Sequence, residues 1–112
     1  MANKRNLPRF RSRERIGILS IEDNKLITEA DTVDISVKGI SFEAEASLDI
    51  NAKYLIVFGY LRSKKLKALS QIIAQYFKGT KQCFSAIFVE TDLLKKNEIR
   101  SYVEAVRAGK PW

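Results

Sequence analysis

Thr32-Val33-Asp34-Ile35-Ser36-Val37-Lys38-Gly39-Ile40-Ser41-Phe42-Glu43-Ala44 is the stretch on which the reading of this chain turns. Up to Val37 the apolar residues are Val33, Ile35 and Val37. They alternate with Thr32, Asp34 and Ser36 as a half-buried strand requires, because successive strand side chains point to opposite faces. Past Gly39 the apolar set moves to the opposite parity, at Ile40, Phe42, Ala44 and Ala46. A one-residue slip turns a whole apolar set outward, so the strand cannot run unbroken through Lys38-Gly39. A bulge or tight turn at Gly39 resolves the conflict. The same alternation sets Asp34 and Ser36 together on the face turned from the core, both pointing at solvent.

Strand patterns extend on either side. Arg15 to Ile21 reads as a strand, Glu22-Asp23-Asn24-Lys25 as hairpin-turn chemistry, and Leu26 to Glu29 as the start of the return strand. Tyr54 to Leu61 is apolar on both faces and rich in aromatic and β-branched residues, which suits a central strand. Arg62-Ser63-Lys64-Lys65 then turns. Leu66 to Phe77 favours helix by propensity, but its length and flanking turns suit a strand, which is the reading adopted with the family resemblance given below. Gly79-Thr80-Lys81 ends it, and Cys83 to Glu90 forms the last strand. A helix follows. Thr91 or Asp92 caps its start, Ile99, Tyr102, Val103 and Val106 fall on one stripe, and Gly109 and Pro111 stop it.

The chain has 112 residues, 46% hydrophobic and 29% charged, the ordinary balance of one globular domain. Its longest apolar stretch is far below the roughly 20 residues of a membrane helix, and the basic N-terminus leads into no apolar signal core. A cytoplasmic location is therefore expected. Histidine is absent and Cys83 is the single cysteine. That leaves no soft-ligand set for zinc and no imidazole for Ser-His or Cys-His catalysis, so no enzyme is expected. Cys83 itself reads as a buried packing residue.

The net charge of +7 is concentrated. Residues 1–15 carry Lys4, Arg5, Arg9, Arg11, Arg13 and Arg15 against Glu14 alone. A cationic arm on a nearly balanced body points to an anionic partner held locally. Residues 1–12, polar, without apolar periodicity and containing Pro8, read as a flexible basic arm, with the folded body over 13–112.

Two motifs lie about 25 residues apart: Arg5-Asn6-Leu7-Pro8-Arg9, an RxxxR, and Asp34-Ile35-Ser36-Val37-Lys38-Gly39, a DxSxxG. In this order, followed by strands and a C-terminal helix, they resemble the signature of the PilZ domain family. The resemblance runs from Arg5 to about Val106. It implies a mainly β fold, a six-stranded antiparallel barrel with a C-terminal α-helix, and cyclic di-GMP bound on the barrel's outer face by Arg5, Arg9, Asp34, Ser36 and Gly39. Lys4, Lys38 and Arg13 are secondary candidates. Arg9 with Arg13, and Arg11 with Arg15, repeat the RxxxR spacing, so the register can be shifted. Lys4 stands where similar proteins often have a further arginine, and Leu66 to Phe77 is poorer in β-branched residues than the family's strand.

The residue chemistry suits such a ligand, which offers two phosphates, guanine Hoogsteen acceptors and Watson-Crick donors. Arginine forks fit phosphates and the Hoogsteen edge bidentately, and their planes stack on purines. A carboxylate at Asp34 can accept from the guanine ring N–H and amino group, with the Ser36 hydroxyl beside it. Gly39 lets the backbone approach without a Cβ. The expected role is a receptor or adaptor without cofactor, whose arm orders on ligand binding and alters a protein partner in motility, adhesion or secretion. The other readings are a PilZ-like domain acting only by protein contacts, and a basic-arm nucleic-acid binder.

Overall fold

The computed structural model describes residues 10–11, by their backbone, and residues 13–112. The elements run β1 (Phe10–Arg11), β2 (Arg15–Leu19), β3 (Leu26–Ile35), β4 (Gly39–Ala44), β5 (Lys53–Phe58), β6 (Leu66–Lys78), β7 (Lys81–Phe88) and α1 (Leu93–Ala108). Every pairing is antiparallel, in the order β3-β2-β5-β6-β7-β4, and β4 pairs back onto β3. Six strands thus close a barrel, as expected, and a helix follows. The short β1 adds to β3 from outside, with Phe10 opposite Ile35 and Arg11 opposite Asp34. The rest of the expected arm, including Lys4, Arg5 and Arg9, lies outside the described residues.

Alternation fills the barrel. Ile16 and Ile18 of β2, Ile40 and Phe42 of β4, Ile56 and Phe58 of β5, Leu66, Ala68 and Ile72 of β6, and Phe84 and Ala86 of β7 share one buried cluster. Phe42 and Phe84, directly opposite on β4 and β7, bring their rings to 5.8 Å. Cross-strand aromatic pairs of this kind are a main unit of sheet stabilisation.

The helix joins this core through Ile99, Tyr102 and Val103. Tyr102 lies 4.8 Å from the Phe58 ring and meets Trp112 edge-on at 5.2 Å, while Lys64 Nζ sits 4.3 Å over the Trp112 ring. Asp92 is the N-cap, accepting from the Leu94 N–H at 3.0 Å, and Gly109 ends the helix at φ 67°. Both ends follow the sequence expectation. None of the described helices is long and apolar enough to cross a membrane.

Several boundaries differ from those expected. β2 stops at Leu19, and Ile21 is exposed in the turn, where Asn24 takes φ 58°. β5 stops at Phe58 because Gly59, at φ 66°, starts a turn whose Arg62 N–H bonds the Gly59 carbonyl at 2.9 Å. Leu61 is consequently 75% exposed instead of lying in the strand. Leu66 to Lys78 is a strand, as expected for Leu66 to Phe77, despite its helix formers, since β5 and β7 pair with it on either side. Tertiary pairing outweighs a propensity difference of a few tenths of a kcal/mol per residue.

Candidate functional site on the outer face

The Asp34–Gly39 segment turns more tightly and more internally than its alternation suggested. The phase conflict is resolved twice. A register shift between Thr32 and Asp34 makes Val33 the extra residue of a bulge, so Val33 is only half-buried while Thr32 and Ile35 are buried. Then Ser36 to Gly39 forms a tight turn. The Ser36 N–H donates to the Gly39 carbonyl at 2.9 Å, and the Ser36 hydroxyl oxygen accepts from the Lys38 N–H at 3.2 Å and the Gly39 N–H at 3.3 Å.

Ser36 therefore does not point at solvent as expected. It is 4% exposed, and its acceptor capacity is spent on the turn's own amides, the local side chain to backbone bonding that serine favours at turns. Its O–H remains as a donor. Asp34 is half-buried, where alternation had placed it in solvent, with β1 running alongside. The bulge and the added strand are the physical reason for the Asp34 correction, and the turn's internal bonds for that of Ser36; none of these is visible in a two-residue period.

Gly39 is required by proximity. A Cβ there would lie 2.3 Å from the Ala86 carbonyl oxygen, because β4 and β7 approach closely at this point. Lys38 is exposed at the turn, and its carbonyl accepts from the Phe88 N–H at 2.9 Å.

Around Asp34 the outer face of β3, β4, β7 and β6 presents small or polar residues. Ser41 is opposite Asp34 on one side and Ser85 on the other, and the two hydroxyls lie 3.1 Å apart. The bulge between Ile72 and Ala74 of β6 brings Ala74 opposite Ser85 and Tyr76 opposite Cys83. Burial pushes the Tyr76 phenol up, partly offset by a hydrogen bond with Ser41, and the nearby Cys83 and Asp34 push it further in the same direction. Cys83 is fully buried as expected, yet it belongs to this outer layer and not to the barrel cluster. Burial, and next the Glu43 carboxylate, push its thiol up, which makes it unreactive.

Below this patch is an open groove with both signs of charge, lined among others by Arg13, Arg15, Asp31, Glu43 and Lys81. Asp31 and Glu43 are cross-strand partners, a like-charge pairing that needs cations. Arg13 supplies one, at 3.3 Å from Asp31 and 4.0 Å from Glu43, with Arg15 at 3.0 Å from Asp31 and 2.9 Å from Glu29. Lys81 adds a contact to Glu43 at 3.7 Å. Hydrogen bonds with Asp31 and Glu29 push the Arg15 guanidinium further up.

Of the expected site residues, the structure brings Asp34, Ser36 and Gly39 together, and it sets Arg13 toward the Asp31–Glu43 pair. Sequence reasoning missed Ser41, Ser85 and Tyr76. Ser41 and Ser85 alternate with Ile40, Phe42, Phe84 and Ala86, so period two could have found them; Tyr76 depends on the β6 bulge and carried no such signal. Among the described residues no cluster suits a metal ion.

This architecture is that of several solved proteins. The chain superposes on the PilZ domain of YcgR from Escherichia coli, solved with cyclic di-GMP, at a TM-score of 0.73 with 12% identity over 96% of this chain and 94% of that one. The fold is that of a PilZ domain. MrkH of K. pneumonia, solved with cyclic di-GMP, matches the PilZ fold of this chain at 0.75 with 13% identity over 96% of this chain and 54% of that one. The Bacillus subtilis inhibitor of motility matches it at 0.72 with 13% identity over 98% and 54%. The PilZ fold here thus spans nearly all of an isolated PilZ domain and about half of the longer proteins. No family model matches the chain, and no curated protein is similar to it in sequence.

Proposed function

We propose that this chain is a receptor module for cyclic di-GMP rather than an enzyme. The observation that carries the reading is the pairing of Arg11 with Asp34, which joins the arginine-rich segment to the DxSxxG turn on one outer face. Two neighbours of the same fold were solved with that dinucleotide, which supports the ligand class.

In this reading Arg5 and Arg9 supply the forks for phosphate and guanine Hoogsteen edges. Arg9 precedes Arg11 by two residues, a reach of at most about 7 Å. Asp34 accepts from a guanine Watson-Crick edge. Ser36 holds the turn and offers its remaining O–H, and Gly39 lets the turn sit flush against β7. Lys4, Lys38 and Arg13 contribute charge nearby, with Arg13 shared between the ligand and the Asp31–Glu43 pair.

The energetics suit an arm ordered by its ligand. Fixing about five residues costs roughly 5 to 10 kcal/mol, and charge-assisted hydrogen bonds return about 1.5 to 3 kcal/mol each. Several such bonds with stacking leave about −8 kcal/mol, which is micromolar binding. The ordered arm would present a new surface to a protein partner in motility, adhesion or secretion; the similarity to an inhibitor of motility supports the first of these.

Isothermal titration with cyclic di-GMP tests the proposal. Saturable micromolar binding is expected, and absence of heat at high micromolar ligand would leave a PilZ-fold module acting by protein contacts alone.

A further inference from the structure

Among the described residues, the end of β6 leaves a stretch of strand edge open. β6 is 13 residues long, but its pairing with β5 ends at Gln71 opposite Lys53. The last backbone bonds on that side are Asn51 N–H to the Ile72 carbonyl, 2.7 Å, and Ile72 N–H to the Ala52 carbonyl, 3.0 Å. Beyond them, Ile73 to Lys78 pairs only with β7 among the described residues.

The hairpin turn fixes which groups face outward. Lys78 is opposite Lys81 across the two-residue turn Gly79-Thr80, with Gly79 at φ 63°. In such a hairpin the closing pair exchanges both of its hydrogen bonds and the next pair exchanges none. Counting back, the N–H and C=O groups of Phe77 and Gln75 point to the open side. Their edge carries apolar side chains in solvent, Ile73 at 48% and Phe77 at 63% exposure.

The geometry points to a docking edge that accepts an extended acidic peptide segment of a partner as an added antiparallel or parallel strand. Open edges bind strands through main-chain bonds, with alternate side chains supplying specificity. Charge selects the occupant. At its turn end, beside the open edge, the hairpin carries Lys78 and Lys81, the second also 3.7 Å from Glu43, and from Leu66 to Phe88 it has no carboxylate of its own. A second copy of the same hairpin would bring like charge against like charge, whereas a strand alternating carboxylates with apolar residues matches both the lysines and the Ile73 and Phe77 side chains. This proposal is independent of the dinucleotide reading, since it uses the edge of β6 and not the Asp34 face.

The probe is a fluorescein-labelled synthetic peptide of about eight residues, a common strand length, alternating glutamate and valine, titrated with the whole chain and followed by anisotropy. Saturable binding below about 1 mM is expected, weakened about tenfold by Gln75→Pro, which removes an outward N–H without touching a β6–β7 backbone bond; Gln75→Ala, which loses the same side-chain bond to Gln82 Oε1 (2.7 Å) but keeps the N–H, should bind as the unaltered chain does. Lys78→Gln with Lys81→Gln should also weaken it, and a peptide alternating lysine and valine should not bind.

If Gln75→Pro fails to fold, hydrogen exchange on the unaltered chain decides. The Gln75 and Phe77 amides should exchange rapidly alone and become protected with the acidic peptide. No binding at about 1 mM, unchanged exchange of those two amides, or self-association that buries the edge in sedimentation would overturn the proposal.

Discussion

A methyl group on Gly39 would meet the Ala86 carbonyl oxygen at 2.3 Å, and backbone on both sides leaves little to yield. Gly39→Ala should therefore destabilise the fold by about 2 kcal/mol or more, read by urea denaturation; an unchanged midpoint would mean that β4 and β7 separate easily. Asp34 and Arg9 carry a different expectation. Arg9→Ala and Asp34→Ala should each weaken cyclic di-GMP binding by at least about tenfold in calorimetry while leaving the melting temperature of the ligand-free protein nearly unchanged. A large loss of stability in either would assign that residue to the scaffold. Ser36 belongs to both groups, because its hydroxyl holds two turn amides. The alternation of Val33, Ile35 and Val37 made the DxSxxG turn legible, but not the burial of Ser36, which arises from bonds inside the turn.

At the level of elements, α1 is held by caps at both ends and by a stripe whose largest member, Tyr102, is 2% exposed. Its hydroxyl has no hydrogen-bond partner among the described residues, a group that costs about 1 to 3 kcal/mol when buried. Tyr102→Phe should then leave stability unchanged or raise it by about 1 kcal/mol, and a loss of stability would reveal a bond to that oxygen. The pH dependence has a definite sign. Burial pushes the Tyr102 phenol well above its ordinary 10.0. The folded state therefore keeps a proton that the unfolded chain releases above about pH 10, and stability should be flat below that point and fall above it. In Tyr102→Phe the alkaline fall should be shallower, as thermal melts between about pH 9 and 11 would record.

For the whole molecule, charge is distributed so that the folded body neutralises much of its own. Arg15 pairs with Glu29 and Asp31, Arg13 with Asp31, and Arg62 with Glu14 at 3.0 Å. Exposed pairs of this kind contribute at most about 1 kcal/mol each, so their effect is on which cations remain for a ligand and little on stability. A compact dinucleotide held partly by stacking and base edges should lose less than about tenfold in affinity between 50 and 200 mM salt, whereas a nucleic acid tracked by six cations should lose about a thousandfold or more. Measuring both ligands at the two salt concentrations separates a receptor from a nucleic-acid binder. The sequence by itself determined the alternation that fills the barrel, the turn at Gly39, both ends of α1 and the concentration of positive charge, because periodicity, capping and composition are local properties. Only the tertiary structure decided that pairing on both sides overrides the helix propensity of Leu66–Lys78, that bulges fall at Val33 and Ile73, that Tyr76 and Cys83 share the outer layer with Ser41, and that β6 keeps an open edge among the described residues. Each of these depends on which residues meet across strands distant in sequence, and barrel closure selects those meetings after local preference has been spent.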